Sequence, residues 1–448
     1  MRLSLTYSVK IKHHNRIFQD TVILYREAVS FFVDVCLQEW ESIGTLHGQK
    51  KQVNRMEALT VKTKGNPEPA YDFSARFYKF PSYLRRSAIA EALGKVSSYQ
   101  SLHANWEVAD PDTRGKEPGL PAAGFVYPAL YRDNMFVRTG TYTAAIKVFI
   151  RNTWDWTWVE LKKSDVDYIL RHCGSFKECV PTLQKRGKEW FLDFVFQTPV
   201  TLPDVDIKEQ RILAVDLGLN SACTCAIMDA KGAVLGRRFL QLPGEYDSLR
   251  HAIGHIKHAQ RLCAKRMPRL WAQAKGISRD IAVKTAQFII ETAVLYNVDC
   301  IVMEHLELAG KKRGSRKQKL HLWRAKYVQE MVTGKAHQNG IRIARVCAWN
   351  TSRLAFDGSG RVLRGKEAGL SSYSLCQFAT GKEYNCDLNA AYNIGARYFI
   401  RERLKTLPAT AGQAVMAKDP SLAHRSTCTL SGLIRLDAAL QEINPAAC

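Results

Sequence analysis

Between residues 211 and 400 the apolar positions follow an order that few architectures accommodate. Residues 212–215 form a short, unbroken apolar run, the pattern of a strand covered on both faces, and the run stops at Asp216-Leu217-Gly218. Residues 221–229 and 233–240 read as two further strands, turning at Ala230-Lys231-Gly232. Helical spacing covers roughly 246–275 and 278–296, followed by another buried strand at 299–303 with Glu304 at its end. A basic loop, a helix over 321–338, a strand over 341–347, an irregular stretch and a last helix from about Leu388 complete the series. Short apolar strands alternating with helices call for a sheet with helices packed on its faces.

The preceding half is built differently. Residues 2–12 alternate apolar and polar (Leu3, Leu5, Tyr7, Val9, Ile11) and read as a strand. Residues 18–43 carry Val22, Tyr25, Val29, Phe32, Val33 and Cys36 at helical spacing, and 81–106 carry Leu84, Ile89, Leu93 and Val96 likewise. Residues 49–66 are polar and basic and read as a loop, while the Pro- and Gly-rich stretch 110–124 reads as a boundary. Strand-like segments follow at 125–131, 143–150, 154–161 and 178–200, the last turning at Arg186-Gly187. They imply a small barrel or sandwich that the opening strand joins, with the helical unit inserted between.

At 448 residues the chain is too long for one core. Its 65 Lys and Arg against 42 Asp and Glu leave a net charge of +23, which points to a polyanionic partner, nucleic acid first. The apolar run 28–37 is broken by Asp34 and is too short for a bilayer, and residues 1–10 lack the order of a signal peptide. Twelve cysteines, mostly within apolar segments, read as reduced core residues of a cytoplasmic protein.

The succession of elements from Arg211 matches the ribonuclease H-like α/β plan, in which the first and fourth strands are neighbours. Asp216 and Glu304 would then stand side by side, and the late helix would bring Asp387 to the same edge. One Asp at a strand end is ordinarily a turn or cap residue; three carboxylates at one edge repel each other unless cations compensate. Their oxygens suit Mg²⁺ or Mn²⁺. Two such ions roughly 3.5–4 Å apart can activate water and stabilise the leaving oxygen of a phosphodiester.

Three segments carry a resemblance: Asp216-Leu217-Gly218-Leu219-Asn220, Val302-Met303-Glu304-His305-Leu306 and Cys386-Asp387-Leu388-Asn389-Ala390-Ala391-Tyr392-Asn393-Ile394. They resemble the RuvC motifs of transposon-encoded TnpB nucleases and of miniature type V CRISPR effectors. The resemblance implies an α/β and β multidomain protein: a ribonuclease H-like RuvC nuclease domain plus a wedge-like β-barrel with an inserted small helical recognition lobe. Residues 1–14 would be the first barrel strand, 15–109 the lobe and 110–206 the rest of the barrel. Residues 207–348 and 385–448 would form the nuclease domain around a 349–384 insert. Asp216, Glu304 and Asp387 would be the metal-binding catalytic acids, and Arg361 or Arg364 the assisting arginine. The family's insert is usually a zinc finger after a Thr-Ser; here Thr351-Ser352 is followed by Ala355 and Gly358, and Cys376 by Ala379. One cysteine cannot supply a tetrahedral site, so the expectation is a zinc-free insert, held by local packing, with turns through Asp357-Gly358-Ser359-Gly360.

Three basic stretches are candidate nucleic-acid surfaces. Residues 71–86 interleave Phe73, Arg76, Tyr78, Lys79, Arg85 and Arg86, combining phosphate neutralisation with rings that can stack on bases or pack in a core. Lys257, Arg261, Lys265, Arg266 and Arg269 recur along a helical segment, and Lys311, Lys312, Arg313, Arg316, Lys317 and Lys319 follow the Glu304 strand. Together with the resemblance these imply a prokaryotic, nucleoid-associated RNA-guided DNA endonuclease. Its partners would be a guide RNA and double-stranded DNA, with two protein copies on one guide as a further expectation. A guide-RNA-bound repressor without cleavage is a second reading. A ribonuclease H-fold ATPase is a third, but it would need a second Asp-Gly-rich turn and a Gly-rich adenosine site, which residues 304–400 do not supply.

Overall fold

A computed structural model describes the chain except at residues 13–15, 113, 132, 219–220, 307–316, 373 and 444–448. Its contacts divide it into two compact units, residues 2–198 and residues 199–448 with Met1.

The first unit opens with β1 (Arg2–Lys10), then α1 (Arg16–Gln38), α2 (Trp40–Gly44), α3 (Gln49–Thr60), α4 (Phe73–Arg76) and α5 (Ser82–Val108). Next come β2 (Phe136–Gly140), β3 (Thr143–Ile150), β4 (Thr153–Glu160), α6 (Lys163–Cys173), β5 (Lys177–Glu178), β6 (Thr182–Arg186) and β7 (Glu189–Pro199). β1 pairs with β7, as the alternation of residues 2–12 anticipates, and β5 and β6 complete that sheet; β2, β3 and β4 form another. The hairpin between β6 and β7 turns at Gly187, whose φ of 62° favours glycine. Helices and strands share one core, in which Tyr25 of α1 meets Ser87 of α5 at 3.0 Å and Thr21 accepts the backbone N–H of Phe149 at 2.9 Å.

Two local expectations fail in this unit, and one helix was not anticipated. Residues 49–60 are helical, because Val53, Met56 and Leu59 put enough apolar surface on one side to pack. Residues 125–131 form no strand and make only the isolated bridge Ala129↔Thr182. α6, with Val166, Ile169 and Cys173 buried, lies in a charged segment whose sequence gave no helical expectation.

The second unit centres on a five-stranded mixed sheet in the order β10-β9-β8-β11-β12: β8 (Arg211–Asp216), β9 (Cys223–Asp229), β10 (Val234–Leu240), β11 (Cys300–His305) and β12 (Arg342–Cys347). The first three form the antiparallel meander read from the sequence, and β8, β11 and β12 run parallel. Helices α7 (Pro243–Arg261), α8 (Pro268–Leu295), α9 (Lys317–Leu322) and α10 (Ala325–Gln338) connect the strands. The break expected near Gly276 lies instead at 262–267, where Cys263 adopts φ 59° and Pro268 opens α8. A small sheet follows, β13 (Leu363–Arg364), β14 (Leu375–Gln377) and β15 (Glu383–Asn385), and then α11 (Cys386–Thr406), α12 (Ala409–Lys418) and α13 (Leu430–Ile443).

Both sheet faces are covered. Leu213, Val215, Ile301 and Met303 pack with α8 and α10, whereas Ile212, Ala214, Cys300 and Val302 pack with α11 and α13. α11 approaches closely at Gly395, where a Cβ would meet the Met228 sulfur at 2.5 Å. Among the described residues no helix is long and apolar enough to cross a membrane.

Candidate active site

Strand alternation brings the acids together. Side chains two apart share a face, so Asp216 follows Ile212 and Ala214, and Glu304 follows Cys300 and Val302, onto the face covered by α11. The β8–β11 register pairs Val215 with Met303, which leaves Asp216 and Glu304 as the next neighbours. α11 starts at that edge because the Asn385 side chain accepts the N–H groups of Asp387 (3.0 Å) and Leu388 (2.9 Å). Asp387 thereby sits in the first helical turn, where the helix dipole favours an anion.

The electrostatics follow from that convergence. Burial, then the charges of Glu304 and Asp387, push the Asp216 carboxyl well above the usual carboxylate range, with Arg364 opposing. Burial also raises Glu304, while the Thr351 hydrogen bond and the Arg397 charge pull it down. Asp387 accepts from Ser221 Oγ at 2.6 Å and Glu304 from the Thr351 hydroxyl. The donor chemistry therefore fits a hard divalent cation: three carboxylates at one edge, one of them made more basic by burial and by the other two. Among the described residues, however, no three His, Cys, Asp or Glu side chains stand close enough to enclose an ion. Glu304 and Asp387 are each engaged by a hydroxyl instead.

A cavity of about 920 Å³ opens beside Asp387, lined by Ser221, Phe239, Tyr246, Arg250, Arg353, Arg361 and Arg364. Both candidate arginines reach it. Arg250, Arg353, Phe239 and Ser221 were not singled out in the sequence, because nothing local distinguishes them from other surface residues. The α11 motif has a structural role besides supplying an acid. Asn389 accepts the Phe356 N–H at 2.8 Å and donates to the Leu354 carbonyl at 2.9 Å, and Asn393 donates to the carbonyls of Thr351 and Leu354.

The 349–384 segment is held by Ala355, Val362, Cys376, Phe378 and Cys386, with Phe356 and Tyr384 packed against them. Its first loop turns through Gly358 and Gly360, both at positive φ. The fold also brings Cys386 to Cys376, a neighbour its sequence spacing concealed. The hydrogen bond from Cys376, with Arg364 adding to it against burial, lowers the Cys386 thiol to about 7.

The candidate nucleic-acid residues separate. Phe73 is a correction: it is 3% exposed and stacks between Phe32 and Phe77, at 4.8 and 4.5 Å, so its ring serves the core. Arg76, Tyr78 and Lys79 are exposed, whereas Arg85 and Arg86 both pair with Glu57. Lys257 and Arg261 lie on α7, Lys265 and Arg266 in the following turn, and Arg269 at the start of α8, so they do not share one helix. Lys311, Lys312, Arg313 and Arg316 lie outside the described residues, and Lys317 and Lys319 belong to α9.

Residues 5–150 match the Aq_aa04 family. Over 152 residues the chain is 31% identical to the uncharacterized protein aq_aa04 of Aquifex aeolicus (strain VF5), covering 30% of this chain and 84% of that protein. The chain belongs to the Aq_aa04 family. The Aq_aa04 match falls within the first unit, and the three acids lie in the second. The chain is also 26% identical over 234 residues to the TnpB-like protein aq_aa05 of the same organism, covering 47% of this chain and 74% of that one. Its fold is similar to that of Cas12f1 in a cryo-EM structure of a Cas12f1–sgRNA–target DNA complex. There the TM-score is 0.56 at 15% identity, covering 85% of this chain and 83% of the other. This Aq_aa04-family chain is thus related to TnpB-like proteins and shares a type V effector fold, as its motifs imply.

Proposed function

We propose that the protein is an RNA-guided DNA endonuclease that hydrolyses phosphodiester bonds in one RuvC-like, ribonuclease H-type site. The observation that carries this reading is the convergence of Asp216, Glu304 and Asp387 from two adjacent parallel strands and a helix start. The likeness to Cas12f1 and aq_aa05 supports it, as does the charge of +23. A guide RNA would pair with the target and carry sequence recognition, while the protein would read a short flanking DNA motif.

In this reading Asp216, Glu304 and Asp387 would hold Mg²⁺, and the chemistry that ion would supply is activation of water and neutralisation of charge at the phosphate. Thr351 and Ser221 orient the second and third acids through their hydroxyls. The arginine-lined cavity admits the strand: a guanidinium from 361 or 364 faces the scissile phosphate, and Arg250 and Arg353 neutralise its neighbours. No covalent intermediate is required, and both strands would visit the same site in turn.

The test is to purify the chain with its bound RNA, sequence that RNA, and present matched duplex DNA with Mg²⁺. Guide-matched cutting that is lost in Asp216→Ala supports the proposal. Guide-dependent binding without cutting by the wild type would favour the repressor reading.

A further inference from the structure

Arg364 ends β13 directly opposite Cys376 on β14, and its Nε donates to the Cys386 sulfur at 3.0 Å. Cys386 is itself fixed: it is fully buried, its N–H donates to the Ser374 carbonyl at 2.9 Å, and Asp387 follows it in the chain. We propose that Arg364, rather than Arg361, is the arginine that meets the reacting phosphate, and that Cys386 is its positioning residue. This rests on the nuclease reading above.

The chemistry of the contact favours such a role. A guanidinium anchored through Nε keeps both terminal NH₂ groups in one plane, the fork that grips two phosphate oxygens. The Cys386 sulfur is an acceptor that fixes the group through Nε alone and leaves the terminal NH₂ groups unengaged by it. The terminal nitrogens of Arg364 are not taken up by this contact, and its charge already opposes the repulsion at Asp216. Arg361 lines the same cavity but is exposed, and its side chain has no hydrogen-bonding partner among the described residues. A group that must be searched into place loses the advantage of preorganisation.

The experiment compares Cys386→Ser, Cys386→Ala, Arg364→Gln and Arg361→Gln in single-turnover cleavage, DNA affinity and melting temperature. Cys386→Ala should slow the cleavage step by about ten- to a hundredfold, the scale of a misplaced catalytic group, with DNA affinity unchanged. Cys386→Ser keeps an acceptor and should cut faster than Cys386→Ala. Simple packing predicts the reverse order, because a buried hydroxyl suits this apolar cluster less well than a methyl. Cys386→Ala should add no further loss in an Arg364→Gln background. Alanine matching the wild type, serine slower than alanine, or Arg361→Gln slower than Arg364→Gln would each overturn the proposal.

A readout free of turnover separates this from the nuclease reading. In spectra of arginine-labelled protein, the Arg364 Nε–H should exchange slowly with solvent in the wild type and Cys386→Ser, and fast in Cys386→Ala. Fast exchange in the wild type removes the positioning contact whatever the protein cuts. Slow exchange with no cutting by the wild type supports the contact and sinks the nuclease reading alone.

Discussion

The Thr351 hydroxyl donates to the Glu304 carboxylate across 47 positions of sequence, and the segment carrying Thr351 is held by the helix that carries Asp387. Asn393 binds the Thr351 carbonyl at 2.9 Å, while Arg397 binds the carbonyls of Cys347 (2.6 Å) and Trp349 (2.7 Å) just before it. The third motif thus positions the second acid as well as supplying its own.

Thr351→Val should move the acid limb of the cleavage profile to higher pH. Burial already raises the Glu304 carboxyl, and the lost donor had favoured its charged form. Cutting should weaken near neutrality and recover as pH rises, with Thr351→Ser close to wild type. A pH–rate profile that coincides with the wild type's would remove Thr351 from the site.

Asp216→Asn should raise the melting temperature in metal-free buffer at neutral pH while abolishing cleavage. The folded state holds the Asp216 proton more tightly than the unfolded chain does. That contribution is complete below the unfolded carboxylate value of about 3.9 and is lost as pH rises toward the folded value. Asparagine, which carries no charge to bury, escapes this loss. Mg²⁺ should stabilise the wild type and not the variant, because only a site that binds the ion gains from it. Calorimetry with and without Mg²⁺ decides both points.

Asn389→Ala and Asn393→Ala should each lower stability by about 1–3 kcal/mol, the usual cost of stranding buried partners. Asn389 leaves the Phe356 N–H unpaired, and Asn393 leaves the Thr351 carbonyl. The denaturant midpoint should fall with its slope unchanged, and limited proteolysis should cut first within 350–360. Wild-type resistance in both variants would contradict the clamp.

A zinc-selective chelator should leave cleavage in excess Mg²⁺ unchanged, and removal of Mg²⁺ should stop it. The motive is that Ala355, Gly358 and Ala379 stand where the resembled nucleases carry ligands, and that Ala355, Cys376 and Phe378 pack in one apolar cluster. Stoichiometric zinc in metal analysis, bound through Cys376 and Cys386, would refute this.

What the sequence determined by itself was whatever depends on local periodicity and punctuation. The apolar runs before Asp216 and Glu304 dictate buried parallel strands, and the alternation of residues 2–10 yields a strand that pairs with β7. Gly187 and Gly232 mark their turns because positive φ values of 62° and 89° are costly for other residues. The order of elements was enough to make β8 and β11 neighbours.

Tertiary structure decided everything that depends on which distant surface meets which. Phe73 lies in a stretch of alternating aromatics and cations, and only the arrival of Phe32 and Phe77 turned its ring inward. Residues 49–60 are too polar to announce a helix and form one because other helices cover Met56 and Leu59. Arg361 and Arg364 are equivalent in sequence, and the strand pair that sets 364 opposite Cys376 and within reach of Cys386 separates them. Pairings such as Thr351 with Glu304 and Ser221 with Asp387 leave no local trace, because a hydroxyl side chain satisfies its surroundings equally well in a turn, a cap or an active site.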